Sequence, residues 1–269
     1  MIQSLIKAHE ILTAFTIERP KLGLSELSQA TGYPKTTLYT LAATLVSLGY
    51  LEKDGDRYSL GPTIVELSPN VRVNVDIRDR AAPILRGLAE ELRGSVYLTI
   101  PKSDRVLYIY AIETTHRLQA RSAIGGLAPF HSTSVGKAML AFMDAEVVSS
   151  ILQRTGLTPV TERTITDPAK LMLELESIRA SGYSTDRSEN ETGLFCIGAP
   201  IFDERARVIA SCSVSDTREA MITTELDRSA ATIMSAAEEI SRRMGYVPRR
   251  PGHHYGPSGA PAPPSSAIS

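Results

Sequence analysis

Cysteine occupies only two of the 269 positions, Cys196 and Cys212, too few for the disulfide framework of a small secreted domain. The chain opens directly on an amphipathic run rather than on a basic, then apolar, leader, so a reducing cytoplasmic setting is the expectation. Long apolar runs are missing as well. The longest, such as 106–112, fall far short of the roughly 20 residues that a membrane helix needs, so no membrane partner is expected. Nor does charge of one sign accumulate: 29 Lys and Arg stand against 30 Asp and Glu, a formal net of -1. Bulk composition therefore gives no sign of a polyanion partner, and any basic surface has to be local. The adjacent pair His253-His254 has no further ligand nearby, and neither a metal nor a cofactor is expected.

What is present suits about two domains of ordinary size. Leu5, Ile6, Ile11, Leu12 and Phe15 recur at helical spacing, predicting a first helix that runs to about Ile17 and is ended by Pro20 and Gly23. Ser25 is the expected N-cap of a short second helix carrying Leu27 and Ala30, and Gly32 supplies its left-handed end. Pro34 suits the first turn of a third helix over 34–48, because its missing N–H has no intrahelical partner there. Leu38, Leu41, Ala42, Leu45 and Leu48 give that helix an apolar face and leave Lys35, Thr36, Tyr39, Thr40 and Ala43 on the other side. The runs 51–53 and 57–60 flank Asp54-Gly55-Asp56, a hairpin signal. Helix, helix, turn, helix and hairpin in that order make a winged helix-turn-helix.

A connector over 62–74, broken at Ser68-Pro69-Asn70, leads to a long helix over about 75–92. Alternation then predicts strands at 96–100, 105–112 and 117–122, helical spacing returns over 134–142, and Asp167-Pro168 opens another helix that Gly182 stops. Strands follow at 183–188, 196–202 and 208–214, the last two joined by a turn at 203–206, before a final helix over about 224–244. The fold class is thus α+β in two domains: a winged helix-turn-helix over 1–61, a linker over 62–74, and a mixed α/β sensor-like domain over 75–246 rather than a doubly wound sheet. Beyond Tyr246, Pro248, Pro251, Pro257, Pro261, Pro263 and Pro264 sit among Gly, Ser and Ala, and this tail over 247–269 is expected to stay disordered.

These residues resemble a known family. The stretch GLSELSQATGYPKTTLYTLAATLVSLGYLEKDGDRYSLGP is similar to the DNA-binding domain of IclR-type bacterial transcriptional regulators. GYSTDRSENETGLFCIGAPIFD resembles that family's C-terminal signature, placing Gly182, Asp186, Glu189, Cys196, Ile197, Gly198, Ile201, Phe202 and Asp203 at the family's spacing. APFHSTSVGKAMLA and RVIASCSVSD resemble further family blocks in the expected order, so the likeness covers about residues 3–246. It implies a GAF-like effector domain behind the winged helix, assembly as a homodimer or a dimer-of-dimers tetramer, and no catalysis.

In a helix-turn-helix the second helix of the motif enters the major groove, with flanking polar groups on phosphates. That assigns Lys35, Thr36 and Tyr39 to the groove, Thr37 to its edge, and Lys53 and Arg57 of the wing to the backbone or minor groove of operator DNA. Thr40 stands where relatives commonly carry Arg, which shortens one phosphate contact. Residues 1–67 hold six Lys and Arg against seven Asp and Glu, so each domain is expected to bind modestly and to rely on dimerisation.

For the second domain, the helix start at Ser134-Val135-Gly136 offers backbone N–H groups to a carboxylate. The resemblance lines an effector pocket with Ser134, Val135, Asp186, Cys196, Ser213 and Ser215. An ionised Asp186 only accepts hydrogen bonds, so the ligand expected is a small hydroxylated or sugar-derived organic acid, and the resemblance implies a repressor of a catabolic operon. Lys137 is expected to point to solvent, and Glu189 and Glu191 to form a solvated loop face. Two other classes stand beside this: a sensor acting through protein partners, and an enzyme with Cys196 as nucleophile and His131 or His116 as base.

Overall fold

The computed structural model describes residues 1–16, 19–67, 72–113 and 124–248. The expected strand over 117–122, His116, the break at Ser68-Pro69-Asn70 and all of the tail past Pro248 lie outside the described residues. The chain divides into two compact units, Met1–Val75 and Asp76–Ser269. Among the described residues no helix is long and apolar enough to cross a membrane.

In the first unit α1 (Gln3–Thr13), α2 (Leu24–Thr31) and α3 (Lys35–Ser47) close over one small core. Ile11, Phe15, Leu22, Leu27, Leu38, Ala42, Leu45, Leu51 and Tyr58 form it. Each large apolar side chain so buried contributes about 1.5–3 kcal/mol. The apolar stripe of α1 is narrower than its spacing suggests, because Leu5 is 67% exposed. Ser25 is not the cap of α2. The helix begins two residues earlier than that cap implies, with Gly23 in the cap position and the Glu26 carboxylate accepting the Gly23 N–H at 2.7 Å. Pro34 likewise caps α3 rather than opening it, its extended ψ of 143° turning the chain into the helix. Leu48 falls just past the end of α3 and is exposed.

The wing is the hairpin of β2 (Leu51–Asp54) and β3 (Arg57–Leu60), with Gly55 at φ +62° in its two-residue loop. A third strand that alternation is too short to reveal, β1 (Leu22–Gly23), pairs with Tyr58 and Arg57 and fastens the wing to the base of α2. The chain leaves the wing through one helical turn, α4 (Thr63–Leu67), where the sequence suggests only a connector.

The second unit is built on a six-stranded antiparallel sheet. Its strands are β4 (Ser95–Lys102), β5 (Arg105–Ile112), β6 (Leu127–Pro129), β7 (Ser184–Arg187), β8 (Phe195–Phe202) and β9 (Val208–Asp216), in spatial order β6-β5-β4-β9-β8-β7. Side chains alternate between its faces. Val96, Leu98, Ile197, Ala199, Ile201, Ala210, Cys212 and Val214 share one face with residues of α5 (Arg72–Leu92) and α9 (Leu226–Arg243) in a large apolar core. The opposite face carries Tyr97, which joins a second core with α6 (Ser134–Leu140), α7 (Ala145–Thr155) and α8 (Pro168–Ser181). Asp167 caps α8 through the N–H of Ala169, with Pro168 in the first turn and Gly182 at φ +84° behind it, as the sequence indicates.

Two glycines let α6 lie against the sheet. A Cβ on Gly198 would stand 3.0 Å from the Ser134 backbone, and one on Gly136 would meet the Phe130 carbonyl oxygen at 2.2 Å. Backbone confronts backbone at Gly136, so no rotamer change relieves the overlap. Gly136→Ala is therefore expected to lower stability by at least the roughly 1–3 kcal/mol typical of overpacking. Denaturant unfolding of the full chain checks this, and a wild-type midpoint would show that α6 has room to withdraw.

Candidate functional site

Two surfaces carry the residues that sequence reasoning selects. In the first unit, burying Leu38, Ala42 and Leu45 leaves Lys35, Thr36, Tyr39 and Thr40 exposed on the opposite side of α3, with Thr37 at the edge. Tyr39 is 57% exposed, a large ring held out to solvent. Lys53 is exposed on the wing, its ammonium 5.7 Å from the centre of the Tyr58 ring. Arg57 is occupied within the domain: its guanidinium donates to the Glu26 carboxylate at 2.9 Å and to the Lys21 carbonyl at 2.9 Å. The carboxylate of Glu26 is held below its ordinary range, first by the Gly23 N–H and then by Arg57, although its burial opposes this. Arg57 thus braces the wing against α2.

In the second unit the candidate residues come together because of strand register. Asp186 of β7 lies opposite Cys196 of β8, Cys196 opposite Ser215 of β9, and Ser215 opposite Ser95 of β4. The next row on the same face reads Ser184, Gly198, Ser213 and Tyr97. Every polar member of these two rows is buried. A sheet face of this composition cannot be explained by apolar packing, since burying a polar group costs free energy unless a partner meets it. Ser184 meets the Ser134 carbonyl at 2.6 Å and Ser215 donates to the Cys196 sulfur at 3.0 Å. Ser134 and Val135, at the start of α6, are themselves buried beside this face. The donors expected there are reduced in number: the Thr133 hydroxyl already accepts the Gly136 N–H at 3.1 Å.

Beside the rows lies a charge cluster. Lys137 does not point to solvent: it is 0% exposed, its ammonium donating to Glu189 at 2.6 and 2.8 Å and to Glu174 of α8 at 3.2 Å. Glu189 is likewise buried rather than on a solvated face, while Glu191 is half-buried. For Lys137 the sequence holds a signal: it is the one charge in a run of small and apolar residues from Ser134 to Phe142, and a helix apolar on all sides is a buried helix.

The loop that carries Glu189 is held from the other side by Thr161 and Thr164, whose hydroxyls donate to the carbonyls of Ser188 and Glu189 at 2.7 Å each. Ser132 donates to the Asn190 side chain at 3.0 Å. His131 donates through Nε2 to the Thr158 carbonyl at 3.0 Å, and burial holds its imidazole below the ordinary value, favouring the neutral form.

Breaking a buried ion pair strands its partner charge, at a cost of about 3–5 kcal/mol. Lys137→Met is expected to lose about that much in denaturant unfolding, and Lys137→Met combined with Glu189→Met to recover a substantial part. Equal losses in single and double variants would show that the two side chains are not coupled.

Comparison with known proteins gives the two units their place. Residues 4–55 match the IclR helix-turn-helix domain, and residues 70–242 match the bacterial transcriptional regulator IclR C-terminal domain. The chain is 35% identical over 247 residues to the HTH-type transcriptional regulator KdgR of Escherichia coli, covering 91% of this chain and 94% of that one. It is 29% identical over 248 residues to the transcriptional repressor IclR of the same species, over 91% of this chain and 90% of that protein. In fold it is similar to an IclR homologue of Microbacterium hydrocarbonoxydans crystallised with 4-hydroxybenzoate, at a TM-score of 0.81 and 23% identity over 90% of this chain and 98% of that one. These relatives are regulators and not enzymes, which sets aside the reading of Cys196 as a nucleophile with a histidine base. A helix-turn-helix with an exposed polar recognition face, followed by the matching C-terminal domain over nearly its whole length, places the chain in the IclR family of bacterial transcriptional regulators.

Proposed function

We propose that this regulator represses transcription by holding operator duplex against α3 and the wing, and that a small organic acid bound on the buried polar face of the second unit releases it. The observation that carries the second half is the pair of cross-strand rows, in which Asp186, Cys196, Ser213 and Ser215 adjoin Ser134 and Val135 on a sheet face otherwise suited to a core. Serine hydroxyls both donate and accept, so Ser213 and Ser215 suit a ligand that carries hydroxyls as well as a carboxylate. A hydroxylated or sugar-derived acid fits that set. The 4-hydroxybenzoate of the Microbacterium complex, a hydroxylated monocarboxylate, supports this class, and the name of the E. coli repressor supports repression.

On the DNA side, Lys35, Thr36 and Tyr39 face the major groove in this reading, Thr37 and Thr40 flank it, and Lys53 reaches backbone from the wing. Arg57 acts mainly by fixing the wing's position, given its contacts to Glu26 and Lys21. With a net of -1 over residues 1–67 the domain has little non-specific attraction, so two copies, in a homodimer or a dimer-of-dimers tetramer, present two recognition helices to one operator.

Lys35→Ala and Tyr39→Ala are expected to weaken gel shifts of the regulator's own promoter by about 1–3 kcal/mol where a base contact is lost. A Lys35 that touches only phosphate would instead lower the salt slope by about one. Unchanged shifts for both variants would remove α3 from the interface. Thr40→Arg is expected to tighten binding to operator and random duplex alike, because a guanidinium adds a phosphate partner without reading bases. Equal affinities for variant and wild type on both duplexes would count against that placement. For the acid site, Ser215→Ala should weaken binding of an inducing acid by about 1 kcal/mol, the worth of a neutral hydrogen bond, while leaving operator binding intact. Full-strength binding in calorimetry would take Ser215 out of the site.

A further inference from the structure

The cluster around Asp186 holds three carboxylates and one cation. Asp186 is 2% exposed, and one of its carboxyl oxygens accepts the Glu189 N–H at 2.6 Å. Glu189 is three residues on in the same loop, and Glu174 faces the cluster from α8. The cation, Lys137 of α6, ends on Glu189 and Glu174. Among the described residues no ion pair reaches Asp186. From the strands beside it Asp186 meets only the uncharged Cys196 and, beyond it, Ser215. His131, on the segment before α6, favours its neutral form.

Burial raises the carboxyls of both Asp186 and Glu189 above their ordinary values, but Glu189 has two hydrogen bonds from Lys137 to oppose the effect. Asp186 has the Glu189 charge against it and lies at about 7, pushed up first by burial and then by that neighbour, which outweigh the N–H groups of Glu189 and Asn190 and the charge of Lys137. An acidic ligand would add a further negative charge to a site already in surplus.

We infer that Asp186 carries a proton in the free protein near neutrality and meets an anionic effector as a hydrogen-bond donor, so that this regulator takes up acid and proton together. The inference rests on the acid site proposed above and refines it: the ligand's carboxylate end, rather than its hydroxyls, lies at Asp186. The O–H of Asp186 donates to a carboxylate oxygen of the ligand and keeps its proton. Above the midpoint of Asp186 that proton comes from solvent on binding, and no covalent bond to the ligand forms or breaks. A ligand presenting a neutral amide or ester in place of its carboxylate loses the charge-assisted half of this contact, which is among the stronger hydrogen bonds a site can offer. Asp186 thereby selects for a monoanion over its neutral analogues.

The full chain labelled with 13C at aspartate carboxyl carbons tests the first half without any ligand. One resonance, absent from Asp186→Asn, is expected to titrate near 7. Titration in the ordinary range near about 4 would overturn the inference. Should Asp186→Asn fail to fold, wild type alone decides through calorimetry with gluconate and with 4-hydroxybenzoate as probes. At a pH about one unit above the Asp186 midpoint, comparison of two buffers of different ionisation enthalpy is expected to show close to one proton taken up per acid bound. Affinity is expected to fall about tenfold per pH unit above the midpoint. Binding with no proton uptake and no pH dependence would overturn the inference while leaving the acid site standing. If neither probe binds across the pH range, the proposed hydroxy-acid class fails, and the carboxyl titration still decides the state of Asp186.

Discussion

A fully buried ammonium is the constraint around which the second unit is arranged. Lys137 leaves the short helix α6 from its middle and finds water on no side. Taking an isolated charge out of water costs several kcal/mol, so partners must be fixed in place to meet it. Glu174 comes from α8 and Glu189 from the loop behind β7, and the three side chains tie together elements far apart in sequence. Because Glu189 is held, its backbone N–H is held as well, and that N–H in turn positions the carboxyl of Asp186. A charge pair that adds little to net stability can still specify which arrangement the loop adopts.

The sheet divides its work between its faces. Toward α5 and α9 it offers the ordinary material of a core, with Val96, Leu98, Ile197, Ile201 and Val214 alternating inward along three strands. Toward α6 the same strands offer Ser95, Ser184, Asp186, Cys196, Ser213 and Ser215, all buried. One face stabilises the fold and frees the other to be polar. The first unit repeats the division on a smaller scale: α3 stabilises its domain with Leu38, Ala42 and Leu45 and leaves Lys35, Thr36, Tyr39 and Thr40 exposed on its other side.

Much of this was legible in the sequence, and what was not has physical reasons. Period 3.6 and period 2 placed α3, the wing, α8 and five strands of the second unit closely, as Asp167, Pro168 and Gly182 do for α8, but missed α7 and the three-residue strand β6, which is too short to alternate. The two-residue strand β1 was not legible, being too short to show alternation and formed only because β3 passes beside it. The cap of α2 was misplaced by two residues because Glu26, reaching back to Gly23, does the work that Ser25 would have done. The candidate site residues Asp186, Cys196, Ser213 and Ser215 came from resemblance, and strand register is what makes them neighbours. Lys137 and Glu189 were misjudged for one reason: a lone charge looks solvated until its partners are known, and these partners lie 37 and 52 positions away.

Lys137 pins the corner that bears Asp186, and native-state hydrogen exchange on Lys137→Met measures this directly. That side chain keeps most of the volume and removes only the charge. Amides over 186–194 are expected to lose more protection than those of 210–214 in β9, whose loss follows only the fall in global stability, while those of the first unit keep theirs. Unchanged protection over 186–194, or a loss there no greater than that in β9, would contradict it.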